Sequence, residues 1–279
     1  MKSIKFLTYI LVLSTLIFTS CKEEEKDEIK PITPVTPTDS IPANYTKVGE
    51  AYLIGTSIKA VVYTDGQILS RYTNLYTALY DSATNTRVTE GVLTITPMMD
   101  MGTMKHSAPA ENTTENASAD KFWHSQVVFS MPGEWDLNIY FEKASAGIIG
   151  NGSFKFQVTA PTLPLVKSIQ LSGADSSKIL IALLSPSNPK LGMNDIEITV
   201  HKRQSAMLFP PAENYTIEIN PQMPSMGHGS PRNENPIHIS NGHYKGKVNF
   251  TMSGLWRVYL TIKKDGTVVN NNEYFDIEF

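Results

Sequence analysis

Two short segments of the chain concentrate the residue types that could bind a soft metal ion. Residues 98–106 and 221–228 together hold six of the 11 methionines, and each segment ends in a histidine. Thioether sulfur is a soft, uncharged ligand that favours Cu(I), and an added imidazole permits Cu(II) as well. The sequence therefore predicts copper, or another soft metal, as a cofactor. The hypothesised ligands are Met99, Met101, Met104 and His106 in the first segment and Met223, Met226 and His228 in the second, with His238 or His243 completing the second set.

The same methionines have a structural interpretation that the sequence leaves open. Methionine is a flexible apolar filler, and loop methionines can close the open end of a β-sandwich. Met99 and Met223 each follow a proline by two residues and are expected to point inward, while Pro224 and Gly227 shape a turn. Under this alternative the protein is a non-enzymatic scaffold, or a module that binds a protein or glycan partner.

The two segments belong to a unit that occurs twice in the chain. In each copy an alternating strand ends at a proline, Pro97 or Pro221, and leads into the methionine-bearing loop. Further along, each copy carries the pattern Phe-x-Met-x-Gly-x-Trp. Its period of two predicts one strand with Phe, Met and Trp on a core-facing side, and the glycine marks a bulge or a close backbone approach. The residues of this repeated core are Phe129, Met131, Gly133 and Trp135 in the first copy and Phe250, Met252, Gly254 and Trp256 in the second.

The elements that position these residues are predicted to be short β-strands. No stretch has a sustained helical period, whereas many segments of alternating or β-branched residues are bounded by Gly, Asn, Asp and Pro. This pattern favours an all-β fold of two tandem immunoglobulin-like β-sandwich domains, preceded by a signal peptide and a Pro-rich linker. The predicted domains are residues 46–160 and 165–279, because the prolines of residues 160–164 interrupt strand pairing between them.

The amino terminus has the features of an exported bacterial lipoprotein. A basic start and an apolar run in residues 1–20 predict a signal peptide, and Cys21 directly after it is the predicted lipidation site. Cys21 is the only cysteine, so soft-metal binding would have to rely on Met and His. Residues 21–45 are acidic and proline-rich, which predicts a disordered tether. We therefore expect a cell-envelope protein, an outer-membrane lipoprotein that faces the periplasm or the cell surface.

Several function classes find no support in the composition and the motifs. The formal net charge is −3 and no basic patch with interleaved aromatics occurs, so no nucleic-acid partner is expected. The sequence has no Gly-x-Ser-x-Gly elbow, no His-Glu-x-x-His motif and no phosphate-binding glycine loop. We therefore predict that the protein is not an enzyme and has no catalytic residues. The expected partners are the membrane, through the lipid anchor, and an envelope protein.

Each copy resembles the YtkA-like and FixH-like β-sandwich domains of bacterial envelope proteins. In the second copy the turn and strand of residues 191–200, the Pro-x-Met-x-x-Met-Gly-His loop and the Gly-x-Trp strand of residues 254–258 are similar to the motifs of that family. The first copy lacks a recognisable opening turn and has a longer loop. The resemblance implies a small extracytoplasmic sandwich, with metal handling or respiratory-complex maturation as frequent contexts. It implies no catalytic activity.

Overall fold

The computed structural model describes residues 40–173 and 176–279. The predicted signal peptide, the lipidation site Cys21 and the predicted tether as far as residue 39 lie outside this part of the chain. The described residues form an all-β structure of β-sandwiches, so the predicted fold class is confirmed. Among them, no helix has the length and apolar character needed to cross a membrane.

The first half of the described chain forms a β-sandwich, called sandwich 1. Its strands are β1 (Thr46–Tyr52), β2 (Ile58–Thr64), β3 (Tyr72–Asp81), β4 (Arg87–Val88), β5 (Val92–Asp100), β6 (Lys105–Ser107), β7 (Ala110–Asn112), β8 (Trp123–Val128), β9 (Gly133–Lys143) and β10 (Ile148–Val158). One sheet has the order β1-β2-β3-β8-β7, with β4 paired to β3, and the other has the order β10-β9-β5-β6. A short 3-10 turn at Ala144–Ala146 joins β9 to β10.

The second half forms sandwich 2. Its strands are β11 (Val166–Gln170), β12 (Lys178–Ser185), β13 (Gly192–Arg203), β14 (Tyr215–Met223), β15 (His228–Gly229), β16 (Glu234–Ser240), β17 (His243–Phe250), β18 (Leu255–Lys264) and β19 (Thr267–Glu278). The sheets have the orders β11-β12-β13-β17-β16 and β15-β14-β18-β19. Apart from β4, strand for strand, this is the arrangement of sandwich 1, as a duplicated unit predicts.

The residues just before β1 already pack on sandwich 1. The ring of Tyr45 stacks on Tyr76 with centroids 4.2 Å apart and meets Phe122 edge-on at 5.5 Å. The backbone N–H of Tyr45 donates to the carbonyl of Pro42 at 2.9 Å. The last residues of the predicted tether therefore belong to the folded part of the chain.

The prediction that Phe-x-Met-x-Gly-x-Trp forms a single strand is wrong. Phe129 follows the end of β8, whereas Trp135 lies on β9 in the facing sheet. The chain crosses between the sheets and turns at Gly133, whose φ of 134° is accessible to glycine but strained for other residues. The indole N–H of Trp135 donates to the carbonyl of Met131, at 3.2 Å. The equivalent residues of sandwich 2 make the same crossing and the same indole hydrogen bond: Phe250, Met252, Gly254 and Trp256.

The core assignment within that pattern is nevertheless correct for the aromatic residues. Phe129 and Trp135 are fully buried and meet edge-to-face across the sandwich, with ring centroids 5.4 Å apart. Phe250 and Trp256 are also fully buried in sandwich 2, where their rings are tilted by 42° with centroids 5.5 Å apart. A period-two pattern fits both a strand and a crossing whose alternate residues turn inward. The pattern identified the aromatic core residues but not the element that carries them, and its core assignment is wrong for Met252, which is 37% exposed.

The two sandwiches contact each other through a small apolar cluster. Val128 at the end of β8 is buried together with Leu180 and Ala182 of β12. A second contact lies at the edge strand β6, where the backbone N–H of Ser107 donates to the carbonyl of Ala206 at 2.8 Å. The methionine-bearing end of sandwich 1 is therefore held against sandwich 2.

Candidate functional site

The first methionine segment forms a β-hairpin between β5 and β6, called hairpin 1 (residues 99–106). Met99 and His106 lie directly opposite each other on the two strands, so their Cβ atoms are about 4.5–5.5 Å apart. Asp100 and Lys105 form the next pair and are joined by a 2.9 Å ion pair. Because side chains alternate along strands, this ion pair lies on the other face of the hairpin.

The tip of hairpin 1 adds two more thioethers. The backbone N–H of Met101 donates to the carbonyl of Met104 at 2.8 Å, which makes these residues the next rung of the hairpin. By the same alternation they lie on the face that carries Met99 and His106. Their side chains are half exposed, at 54% and 51%. The four predicted ligands of the first segment are therefore brought together on one face of one hairpin.

The second methionine segment forms a tighter turn between β14 and β15, called hairpin 2 (residues 223–228). Met223 and His228 are again directly opposite each other. The backbone N–H groups of Met226 and Gly227 both donate to the carbonyl of Met223, at 3.1 and 2.9 Å. Gly227 has a φ of 65°, as a tight turn requires. Hairpin 2 therefore repeats the Met–His rung, but Met226 lies in an exposed turn and forms no second rung.

Both hairpin histidines are held in the same way by a neighbouring carbonyl. The Nδ1 atom of His106 lies 2.9 Å from the carbonyl oxygen of Ser107, and that of His228 lies 3.0 Å from the carbonyl oxygen of Gly229. A carbonyl can only accept, so a neutral imidazole there carries its proton on Nδ1 and leaves a lone pair on Nε2. An imidazole nitrogen with a free lone pair is the form that binds a metal ion.

The Nε2 atom of His106 is the unsatisfied atom of the site. The residue is 7% exposed, and Nε2 is buried without a hydrogen-bond partner among the described residues. Leaving such an acceptor unsatisfied costs about 1–3 kcal/mol. Buried polar atoms are normally paired with protein, water or an ion, so a water or a metal ion bound at Nε2 would satisfy this atom.

The methionines of the Met–His rungs pack against the repeated glycine. Met99 and Met223 are 6% and 4% exposed, which confirms the prediction that they point inward. A Cβ atom added at Gly133 would lie 2.9 Å from Cε of Met99, and one added at Gly254 would lie 2.8 Å from Cε of Met223. The methyl group of each methionine therefore fills the space that a side chain at the repeated glycine would occupy, and this packing fixes the thioether opposite its imidazole.

The repeated tryptophans form the wall behind each imidazole. The ring of His106 meets Trp135 nearly perpendicularly, with centroids 5.4 Å apart, and His228 meets Trp256 in the same way at 5.8 Å. Sequence reasoning placed both tryptophans in the core and missed this second contact. The signal for it was present, because each Met–His loop is followed in its own copy by the same Gly-x-Trp.

His243 does not complete the second set of ligands, and that part of the prediction is wrong. Its Nδ1 atom lies 2.8 Å from Oε1 of Glu197, and its Nε2 atom lies 3.1 Å from Oε1 of Glu111, a residue of sandwich 1. Both ring nitrogens are therefore occupied by carboxylates. The alternative, His238, faces the ring of Tyr244 at 5.3 Å. No sequence signal marked the partners of His243, because Glu111 is 132 residues away along the chain.

The surroundings of His243 form a charged link between the sandwiches. Burial lowers the pKa of His243, but the hydrogen bonds to Glu111 and Glu197 outweigh it, so the pKa is raised above its usual value. Nearby, burial raises the pKa of Tyr72, and the charge of Glu111 adds to this. His201 is almost fully buried, and burial lowers its pKa to about 4.

Hard metal ions have no evident site in residues 40–173 and 176–279. No three or more His, Cys, Asp or Glu side chains of this part of the chain are grouped in a way that could hold a metal ion.

One comparison concerns the family of sandwich 2. Residues 173–261 match the family model described as YtkA-like. This segment contains hairpin 2 and Trp256, so the match supports the resemblance for sandwich 2. The matched segment does not include sandwich 1. A search of curated proteins found no match.

Solved structures give a more distant likeness. The adhesin FdeC of Escherichia coli is 12% identical with a TM-score of 0.28, over 81% of this chain and 65% of its own. InvD of Yersinia pseudotuberculosis is 13% identical with a TM-score of 0.25, over 85% of this chain and 57% of its own. Domains 5–6 of the S-layer protein SbsC are 9% identical with a TM-score of 0.26, over 84% and 99%. Similarity at this level carries no argument about ligands or partners.

Proposed function

We propose that this protein is a non-enzymatic module of the cell envelope, anchored to a membrane by lipid on Cys21, that binds copper as Cu(I) at its methionine–histidine hairpins. The observation that carries the proposal is the buried Nε2 atom of His106, which has no hydrogen-bond partner among the described residues. It lies on a residue directly opposite Met99. A thioether and a neutral imidazole form a donor set that suits Cu(I).

The two hairpins offer different numbers of donors. Hairpin 1 presents its Met–His rung together with the thioethers of Met101 and Met104 on the same face. Hairpin 2 presents its Met–His rung and the exposed thioether of Met226. Because additional soft donors strengthen the binding of a soft ion, we expect hairpin 1 to bind Cu(I) more tightly than hairpin 2.

A second candidate function is a scaffold that presents two sandwiches to a protein or glycan partner. The observation in its favour is that Met99 and Met223 are buried and pack on glycines, as apolar fillers do. This alternative gives no reason for a free lone pair on His106 or for the thioether rung at the tip of hairpin 1.

The proposal is tested by titrating the purified protein with Cu(I) in competition with a chromogenic chelator under reducing, oxygen-free conditions. The expected result is two bound ions. His106→Phe and His228→Phe keep a ring against the tryptophan but remove the nitrogen ligand. Each is therefore expected to lower the affinity for one of the two Cu(I) ions by about tenfold or more, which corresponds to 1.4 kcal/mol.

His124→Phe is the matched control, because His124 lies outside both hairpins and its Nε2 atom pairs with Asp120 at 2.8 Å. It is expected to leave both affinities unchanged. Wild-type binding no tighter than weakly micromolar would contradict the proposal. So would hairpin variants that titrate like the control.

A further inference from the structure

The two hairpins differ in how they are covered. Beyond the rung in hairpin 1, Ser107 and Ala108 are buried, at 3% and 5% exposure. The equivalent Gly229 in sandwich 2 is exposed. The histidines differ in the same direction, since His106 is buried and His228 is partly exposed. One feature outside the repeated unit contacts hairpin 1 and has no described equivalent at hairpin 2.

That feature is a loop of sandwich 2, residues 204–208. The backbone N–H of Ser107 donates to the carbonyl of Ala206 in this loop at 2.8 Å. The loop is closed on itself, because the N–H of Gln204 donates to the carbonyl of Leu208 at 3.0 Å. Its tip is thus fixed beside the edge strand that carries His106.

Met207 directly follows Ala206 and so lies one residue, about 3.8 Å along the Cα trace, from the hydrogen-bonded position. Its side chain is 51% exposed and takes no part in the buried cores. The tip of hairpin 1 carries two thioethers with almost the same exposure, those of Met101 and Met104. Three methionines are therefore half exposed, two at the tip of hairpin 1 and one next to the residue of sandwich 2 that hydrogen-bonds to Ser107.

We propose that Met207 supplies a thioether ligand from sandwich 2 to the metal ion held by hairpin 1, so that the bound ion joins the two sandwiches. This inference rests on the proposed Cu(I) binding. It assigns a role to a methionine that lies outside both repeated loops. The contact between Ser107 and Ala206, which brings this loop to hairpin 1, has no described equivalent at hairpin 2.

The test compares Met207→Leu with Met193→Leu in the Cu(I) competition titration of the purified protein. Leucine keeps the apolar volume and removes the sulfur. Met193 is a fair control because it is also a partly exposed methionine of sandwich 2, at 41%, but lies on β13. We expect Met207→Leu to lower the affinity for the more tightly bound Cu(I) ion by about tenfold, or 1.4 kcal/mol. Met193→Leu should leave this affinity unchanged. We expect Met207→Leu to leave the affinity for the weaker ion, which is assigned to hairpin 2, unchanged.

The outcomes separate this inference from the proposed function. If the wild-type protein binds Cu(I) and Met207→Leu titrates like Met193→Leu, the role of Met207 is overturned and the hairpin sites stand. An effect of Met207→Leu on the weaker ion instead of the tighter one would also overturn it, because the weaker ion is assigned to hairpin 2. If the wild-type protein does not bind Cu(I), the proposed function itself is overturned.

Discussion

Hairpin 1 and hairpin 2 hold the same Met–His rung against the same Gly-x-Trp wall, yet they differ at the tip and in their surroundings. Hairpin 1 is longer and carries a second rung of methionines, its histidine is buried, and the neighbouring Ser107 hydrogen-bonds to sandwich 2. Hairpin 2 ends in a tight turn and its histidine is partly exposed. The shared parts are those fixed by the core of each sandwich. The differences lie at the tip and the edge, where a duplicated unit can change without disturbing its own packing.

The largest expected effect on stability concerns the repeated tryptophans, Trp135 and Trp256. Replacing Trp135 or Trp256 by alanine removes a fully buried indole and is expected to lower the free energy of unfolding by about 3–5 kcal/mol. Because the two tryptophans have the same surroundings, we expect losses of similar size in urea unfolding. The control Tyr140→Phe, at a partly exposed ring, should change stability by less than about 0.5 kcal/mol. A large loss for only one of the tryptophans would break the equivalence of the two cores.

The next effect concerns the charged link between the sandwiches, in which His243 pairs with Glu111. The pKa of His243 is raised in the folded protein, so its charged hydrogen bonds stabilise the fold fully below the unfolded pKa of about 6.5. This stabilisation is lost as the pH rises through the raised pKa. His243→Gln is therefore expected to lower the free energy of unfolding by about 1.5–3 kcal/mol near pH 6, and by less at pH 9.

The contribution of His243 is measured as the difference in the free energy of unfolding between the wild-type protein and His243→Gln. Burial is the largest cause of the lowered pKa of His201, about 4, and this cause is present in both proteins. Glu111, Glu197, Tyr72 and Lys245 also face the site and are unchanged. If the difference in the free energy of unfolding between the wild-type protein and His243→Gln is the same at pH 6 and pH 9, a charged link at His243 is contradicted.

A smaller effect concerns the glycine beneath each methionine. Gly133→Ala and Gly254→Ala place a Cβ against the methionine methyl at a positive φ, and we expect each to cost about 1–3 kcal/mol. Gly102→Ala is the matched control in hairpin 1, because its φ is 80° but an added Cβ would meet nothing within 4 Å. Thermal unfolding should rank the substitutions at Gly133 and Gly254 as more costly than the one at Gly102. Equal losses of stability at all three positions would show that the contact between the added Cβ and the methionine does not contribute to the effect.

Much of this arrangement could be predicted from the sequence because the chain repeats itself. The repeat indicated two sandwiches, the buried tryptophans and the inward methionines, since period and composition report local burial. The crossing at Gly133 was missed, because alternation alone does not distinguish a strand from a change of sheet. The partners of His243 and the position of Met207 could not be predicted, since they depend on how two distant parts of the chain meet.

The most direct test of the central claim observes the imidazole nitrogens themselves. Nitrogen-15 NMR of the histidine rings should show the Nε2 signals of His106 and His228 shifting when Cu(I) is added, while their Nδ1 atoms stay protonated. The methyl signals of Met101 and Met104 should shift with them, and the ring of His243 should not change. If Cu(I) leaves both hairpin imidazoles unchanged, or alters only His124, His238 or His243, the assignment of a soft-metal site to the hairpins is contradicted.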